Sequence, residues 1–361
     1  MKIINVKCRY FRNIENCNIH LNPGINVIIG KNGQGKTNFL ESIYYLSTTR
    51  SFRVLKDQDL IQHQKELSKI EANIKDNDIS RNLTCVSHSK GKSCFIGNQQ
   101  ISKTSEFVGM LNAILFSPSD LEIFNSSPKI RRRMMDVEIG KIDSFYSFQL
   151  NRYNRLMKER NTSLKMENLN HDILDALEEQ MIDAEKVIIE KRLNFIHFIN
   201  DRLTSIYHHL SGENNIITCQ YQGIVNYIND NFCEEQKIKL KESRQRDWIL
   251  KATTHGIHRD DLSFMMDNNI LDHVASQGQR RMTVLSLKLA FIDYVTDKTG
   301  KKPILLLDDV LSELDSEKRK NLFNSIPEGI QTIITTTELD EMIREIPSKP
   351  KVFMMDKGKI D

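Results

Sequence analysis

The chain has no C-x-x-C pair among its six cysteines, no apolar run approaching a membrane span, and little net charge. Each absence removes a class of protein. Cys8, Cys17, Cys85, Cys94, Cys219 and Cys233 lack the close spacing of a zinc or thiol-redox motif. At 361 residues the chain also has no need of disulfide staples, so reduced thiols in a cytosol are expected. The strongest apolar runs, Ile25–Ile29 and Ile304–Leu307, suit buried strands and are far too short to cross a bilayer. Lys2, Lys7 and Arg9 interrupt the first residues, where a signal peptide needs an unbroken apolar core. A cytoplasmic protein with no membrane partner is therefore expected. With 51 Lys and Arg against 48 Asp and Glu, a nucleic-acid surface would have to come from local clustering. Trp248 and the methionines read as packing residues.

Hydrophobic residues, at 39%, suffice for a sizeable core, and the length fits about two domains. Residues 3–8 and 16–21 have strand character, and Asn22-Pro23-Gly24 turns the chain into the apolar strand Ile25–Ile29. A glycine-rich loop then leads to a predicted helix over Thr37–Leu46, with Phe39, Leu40, Ile43 and Tyr44 at helical spacing. Ile70–Ile74, Leu83–Val86 and Ser93–Ile96 are candidate strands. Beyond Ser126-Ser127-Pro128 the period becomes helical, through Phe145, Gln149, Tyr153 and Leu156. After a polar break over 167–171 it resumes at Ile173, Leu177, Met181, Ala184, Ile188, Phe195, Ile199 and Leu203. Two such helices across a short break predict an antiparallel hairpin. Residues 126–165 are strongly basic and residues 166–190 strongly acidic. That contrast fits complementary neighbouring helices or, for the first helix and the preceding Lys129–Arg133, a DNA-facing surface. Strand signals return after residue 253, notably Ile304–Leu307 and Thr332–Thr336. The expected division is an α/β domain in two parts, 1–118 and 254–361, around a helical insertion, 119–253.

Gly30-Lys31-Asn32-Gly33-Gln34-Gly35-Lys36-Thr37 fits G-x-x-x-x-G-K-[ST] at every fixed position. Glycines let backbone N–H groups close around polyphosphate oxygens, Lys36 can neutralise the β- and γ-phosphates, and the Thr37 hydroxyl can ligate Mg²⁺. The helix after this loop adds a positive dipole end. Ile304–Leu307 running into Asp308-Asp309 suits a Walker B element, with Asp308 holding Mg²⁺ and Asp309 orienting or deprotonating the attacking water. Ser276-Gln277-Gly278-Gln279-Arg280-Arg281 reads as a capped helix start whose first N–H groups can meet an anion. His255 and His258 with Asp260 and Asp261 read as a polar loop rather than a metal cluster.

In this order the motifs resemble the ABC-type ATPase heads shared by transporters, SMC proteins and DNA-repair ATPases. Ser276–Gln279 is similar to their signature motif, and Ser312-Glu313-Leu314-Asp315 to their D-loop. The interval from Thr37 to Asp308 holds a helical insertion but not a long coiled coil, which resembles the RecF family of bacterial recombination and replication-repair proteins. Further stretches carry that resemblance along nearly the whole chain. They are Phe11-Arg12-Asn13-Ile14, Arg50-Ser51-Phe52-Arg53, Phe116-Ser117-Pro118, the segment Pro128–Arg133, and His255-Gly256-Ile257-His258-Arg259-Asp260-Asp261-Leu262. Two positions depart from the pattern: the family usually has proline where Ile257 stands, and Thr335-Thr336-Thr337 occupies the strand end where a transporter head has its switch histidine.

The resemblance implies a P-loop ABC-type ATPase head, a mixed sheet with flanking helices, and a helical insertion domain carrying a short antiparallel hairpin. It implies ATP and Mg²⁺ held by Gly30, Lys31, Asn32, Gly33, Gln34, Gly35, Lys36 and Thr37, with Thr37 and Asp308 on the metal. Ser276 and Gly278 of a second copy would meet the γ-phosphate, making ATP part of a homodimer interface. Asp309 and Lys36 would be catalytic. Asp309 is one methylene shorter than the glutamate common in ABC heads, so weak DNA-dependent hydrolysis is expected, releasing a dimer that ATP assembles on DNA. The implied role is recombinational repair, replication restart and SOS induction. DNA (single-stranded, duplex or junction) would lie against Arg131, Arg132 and Arg133, and a RecR-like mediator would be the partner. The competing readings are an ABC transporter ATPase subunit and a nucleotide-switched scaffold with little catalysis.

Overall fold

A computed structural model describes residues 1–77, 79–337, 346 and 349–360. It contains two compact units: Met1–Leu121 with Leu203–Asn215 and Ser276–Asp361, and Glu122–Arg202 with Ile216–Ala275.

The first unit begins with the hairpin β1 (Lys2–Phe11) and β2 (Ile14–His20), then β3 (Ile25–Ile29) and α1 (Lys36–Thr48). Next come β4 (Leu67–Asp76), β5 (Ile79–His88), β6 (Gly91–Ile96), β7 (Gln99–Ile101), the single turn α2 (Thr104–Phe107) and β8 (Ala113–Phe116). The second unit holds α3 (Pro128–Gly140), α4 (Ser144–Ser163), α5 (His171–Ser211, whose last turns group with the first unit), β9 (Ile217–Gln222), α6 (Phe232–Leu250), β10 (Asp261–Met266), β11 (Asn269–Ile270) and α7 (Leu271–Val274). The chain then returns to the first unit through α8 (Gln277–Thr299), β12 (Ile304–Asp308), α9 (Ser316–Ser325), β13 (Thr332–Thr336), β14 (Lys351–Asp356) and β15 (Lys359–Ile360).

Burial patterns account for two kinds of sheet. Every residue of β3, β12 and β13 is buried, as a strand covered on both faces requires, and these strands pair in parallel. Their sheet runs β15-β14-β3-β13-β12-β8. β1 and β4 largely alternate buried with exposed positions and belong to an antiparallel sheet ordered β2-β1-β4-β5-β6-β7. One cluster of buried side chains includes Phe11 and Ile70 of the antiparallel sheet, Phe39, Leu40 and Ile43 of α1, and Leu306 and Ile333 of the parallel sheet. Each such side chain contributes about 1.5–3 kcal/mol of burial, so α1 is held from both sides. The register of the parallel sheet aligns the strand ends: Thr336 lies opposite Ile29 and Thr335 opposite Asp308, so β13 stands between the carboxyl ends of β3 and β12.

In the second unit the Asp143 side chain caps α4 by accepting from the Tyr146 N–H at 2.9 Å. Ion pairs Arg160–Glu178 (2.8 Å) and Asp143–Lys191 (2.8 Å) join the two ends of α4 to α5 in opposite senses, which makes the pair antiparallel. α5 has 41 residues against 20 in α4, so it runs well past its partner. The unit also extends to Ala275, beyond the expected boundary at 253, because β10 builds its ladder on β9 from Asp261↔Gln222 to Met266↔Ile217.

Candidate functional site

The loop after β3 is fastened on two sides. From the β1–β2 turn, Asn13 donates to the Gln34 carbonyl at 3.1 Å and accepts from Asn38 of α1 at 2.7 Å. From the β14–β15 turn, the Gly358 N–H donates to the Gln34 carbonyl at 2.8 Å and the Lys357 N–H to the Gln34 side chain at 2.6 Å. Gly35 has φ +115°, a conformation that suits glycine, and a Cβ there would stand 2.6 Å from the Asn13 side-chain oxygen. Lys31, Asn32 and Gly33 form the exposed crest. α1 starts as Phe39 N–H donates to the Gly35 carbonyl, directing the first helical N–H groups toward the loop.

Lys36 is buried, and its ammonium donates to the Gly30 and Lys31 carbonyls at 2.6 and 3.1 Å. Burial lowers its pKa, an effect opposed by the nearby Asp309 and Asp308 carboxylates. Thr37 donates its hydroxyl proton to Asp308 Oδ1 at 3.0 Å, joining residues 271 positions apart. Thr335 donates to the same oxygen at 2.8 Å and accepts from the Asp309 N–H at 3.0 Å. Asp308 is 4% exposed; burial raises its pKa, against the lowering effect of the two hydroxyl donors. Asp309 adopts φ +54°, and its Oδ1 is buried with no hydrogen-bond partner. A hydroxyl, a buried carboxylate and an orphaned carboxylate oxygen form a hard oxygen set, which fits Mg²⁺ and its waters.

Two of the stretches that carried the resemblance acquire a physical role. Arg12 makes a two-point contact with the fully buried Glu41 of α1, at 2.9 and 3.1 Å, and Ser51 donates to the same carboxylate. Arg53 bonds Asn38 at 2.6 Å, and its charge reaches Asp308, where it favours the ionised form. These residues lock α1 behind its loop.

Ser276 accepts from Gln279 N–H at 3.2 Å while Gln279 Oε1 accepts from Ser276 N–H at 2.9 Å, a capping box at the start of α8. Ser276 and Gly278 are exposed, so the helix end faces solvent. Arg281, one turn further, binds the Glu313 carbonyl at 2.9 Å and pairs with the Glu313 carboxylate, tying α8 to the D-loop-like segment.

The arginines expected to face DNA have other partners. Arg131 grips Asp261 with two bonds of 2.7 Å and also binds the Ile123 and Ser126 carbonyls; Arg132 binds the Asp260 carbonyl. Both are half-buried, as is Arg133. Arg131 and Arg132 thereby hold the start of β10. Asp260 itself lies in a buried network with Arg192 (2.8 Å) and Tyr221. His258 sits between Tyr153 (2.8 Å) and the Thr253 carbonyl (3.0 Å), with burial pushing its pKa down to about 4. It is a neutral packing histidine. No cluster able to hold a metal through three or more His, Cys, Asp or Glu side chains occurs among the described residues, and no described helix is long and apolar enough to cross a membrane.

The sequence singled out Gly30–Thr37, Asp308 and Asp309 together, and the structure brings them together. It adds Thr335, the hydroxyl shared by both aspartates, and the Asn13 and Gln34 fastenings. The Thr335–Thr337 run was visible as a strand end, but its contact with Asp308 depends on strand order.

The RecF/RecN/SMC N terminal domain family matches residues 2–361. A DNA replication and repair protein RecF of Streptococcus agalactiae is 36% identical over all of this chain and 98% of its own length. A structure of the recombination mediator protein RecF-ATP in the RecFOR pathway superposes with a TM-score of 0.92 at 29% identity, covering 99% of this chain and 96% of that one. An Smc head bound to the C-winged helix domain of ScpA, at 16% identity and a TM-score of 0.57 over 100% of this chain and 97% of that one, shares the fold. The chain, an SMC-type ATPase head by fold, belongs to the RecF family.

Proposed function

We propose that this chain is an ATP-dependent DNA-binding protein of recombinational repair, replication restart and SOS induction. The observation that carries the nucleotide site is the 3.0 Å bond from Thr37 to Asp308. It joins the phosphate-type loop to the end of β12, as a site for a metal-bound triphosphate requires. The naming of its relatives as DNA replication and repair proteins, and the ATP in the superposed RecF structure, support the same reading.

In this reading Gly30–Thr37 cradle the phosphates through backbone N–H groups, with Lys31 and Asn32 on the exposed crest. Lys36 exchanges its carbonyl partners for β- and γ-oxygens. Thr37 and Asp308 hold Mg²⁺, which when bound neutralises charge developing on those oxygens. Asp309 orients or deprotonates the attacking water through its unpaired Oδ1, and its short side chain keeps hydrolysis slow. The exposed Ser276 and Gly278 meet the γ-phosphate on a second copy. ATP therefore favours a DNA-holding homodimer, and hydrolysis releases it by removing that contact. A RecR-like mediator is the partner that the RecFOR pathway of the superposed structure points to.

Sedimentation with MgATP or a slowly hydrolysed analogue tests the composite site. Wild type should dimerise, and Ser276→Arg should bind ATP as a monomer. An ATP-bound wild-type monomer would refute the dimer reading. DNA retention compared across ATP, the analogue and ADP separates release by hydrolysis from a scaffold that only assembles.

A further inference from the structure

Four of the six cysteines stand in one row across the antiparallel sheet. The register pairs Cys17 with Cys8, Cys8 with Ile70, Ile70 with Cys85, and Cys85 with Cys94. Residues directly opposite in such ladders point to the same face, with Cα atoms about 4.5 or 5.5 Å apart. Both spacings lie within the span a disulfide bridges. The row therefore contains two ready-made dithiols, Cys8–Cys17 and Cys85–Cys94, separated by the Ile70 side chain. The sulfurs of Cys85 and Cys94 are 3.1 Å apart. All four side chains are buried in the cluster that supports α1.

The row also touches the helix that carries the phosphate-type loop. Cys8 Sγ donates to Ser42 Oγ of α1 at 3.3 Å, and Ser42 in turn donates to the Phe39 carbonyl at 2.6 Å. Two residues beyond Cys85, Ser87 donates to the Tyr45 hydroxyl of α1 at 3.3 Å.

We infer that Cys8–Cys17 and Cys85–Cys94 are paired sites of reversible disulfide formation by hydrogen peroxide, coupled through Ser42 to the nucleotide loop. Cys94, on β6, has a thiol pKa lowered mainly by the hydrogen bond from Cys85, whose own is raised mainly by burial. In each pair one sulfur, as the thiolate, is the nucleophile. It attacks a peroxide oxygen; the S–O bond forms, the O–O bond breaks and hydroxide leaves, giving a sulfenic acid. The partner thiol then attacks that sulfur; the S–S bond forms, the S–O bond breaks, and the released hydroxyl leaves as water with the thiol's proton. Two thiols are oxidised and one peroxide is reduced to two waters. Bridging Cys8 removes the hydrogen that it donates to Ser42, loosening the second turn of α1.

The coupling to nucleotide rests on the proposed ATP site; the bridges do not. The test exposes the folded, reduced full-length chain to hydrogen peroxide and maps its peptides by mass spectrometry under non-reducing conditions. Expected are the pairs Cys8–Cys17 and Cys85–Cys94, each lighter by two hydrogens, reversed by dithiothreitol, with Cys17→Ser and Cys94→Ser each losing one. Thiols that stay reduced, stop at sulfenic or sulfinic acid, or pair otherwise in wild type would overturn the site. For the coupling, peroxide should raise the exchange of α1 amides with deuterium and lower MgATP affinity by about two- to tenfold, the loss of one hydrogen bond, and Cys17→Ser should abolish both effects. Bridged protein with unchanged α1 exchange overturns the coupling, whereas failure of the reduced protein to bind MgATP counts against the ATP site alone.

Discussion

Three glycines of the loop look alike in the sequence motif but not in the fold, and substituting each with alanine ranks them. Gly33 has φ +78° and open space where a Cβ would go, so alanine there incurs only left-handed strain, about 1–2 kcal/mol. Gly35 has φ +115°, and its Cβ would stand 2.6 Å from Asn13 Oδ1 and 2.8 Å from the tip of Met355. Asn13 would have to swing away, losing its bonds to Gln34 and Asn38. Strain of about 1–3 kcal/mol plus two hydrogen bonds at about 0.5–1.5 each gives about 2–6 kcal/mol for Gly35→Ala. Gly30 needs no unusual φ, but a Cβ there would overlap the Met355 main-chain carbonyl and force β3 from β14. The assay is urea unfolding of the nucleotide-free protein, so that contacts with phosphate do not enter. Gly33→Ala should be the mildest, with Gly35→Ala and Gly30→Ala each losing a large part of a typical total of about 5–15 kcal/mol. Equal losses at Gly33 and Gly35 would refute the fastening of the loop by Asn13.

Thr335→Val removes a donor to the Asp308 carboxylate and an acceptor for the Asp309 N–H, and should cost about 2–4 kcal/mol in urea melts; Thr335→Ser should restore most of it. Burial raises the Glu185 pKa to about 8, so the folded chain holds a proton that the unfolded chain releases near pH 4.5. The protonated carboxyl favours folding at low pH, and stability should therefore fall as pH rises from about 5 to 8, by up to about 4 kcal/mol. Glu185→Gln should flatten that slope in melts at several pH values; an unaltered slope would assign it to other groups.

The residues made some of this arrangement legible. The strand before Gly30 and the helix after Thr37 follow from the motif itself, since a phosphate loop needs both to aim its N–H groups. The apolar run before Asp308 could be read as a strand buried on both faces because it has no alternation. The helical period through Phe145–Leu156 and Ile173–Leu203 revealed α4 and α5 and their antiparallel pairing. Contacts between distant positions could not be read this way. The pairing of Arg131 with Asp261, 130 residues away, is one of them. Composition counts charges without saying which ones neutralise each other. The extension of the second unit to Ala275 depends on the pairing of β9 with β10 across α6. Thr335 reaches Asp308 only because β13 lies beside β12 in register.

Calorimetric titration of MgATP into wild type and Lys36→Met tests most directly whether Gly30–Thr37 and Asp308 form one triphosphate site. Saturable heat in wild type, lost in Lys36→Met while its urea midpoint shows a folded protein, is the predicted result. No heat in wild type, or the same heat in both, would contradict it.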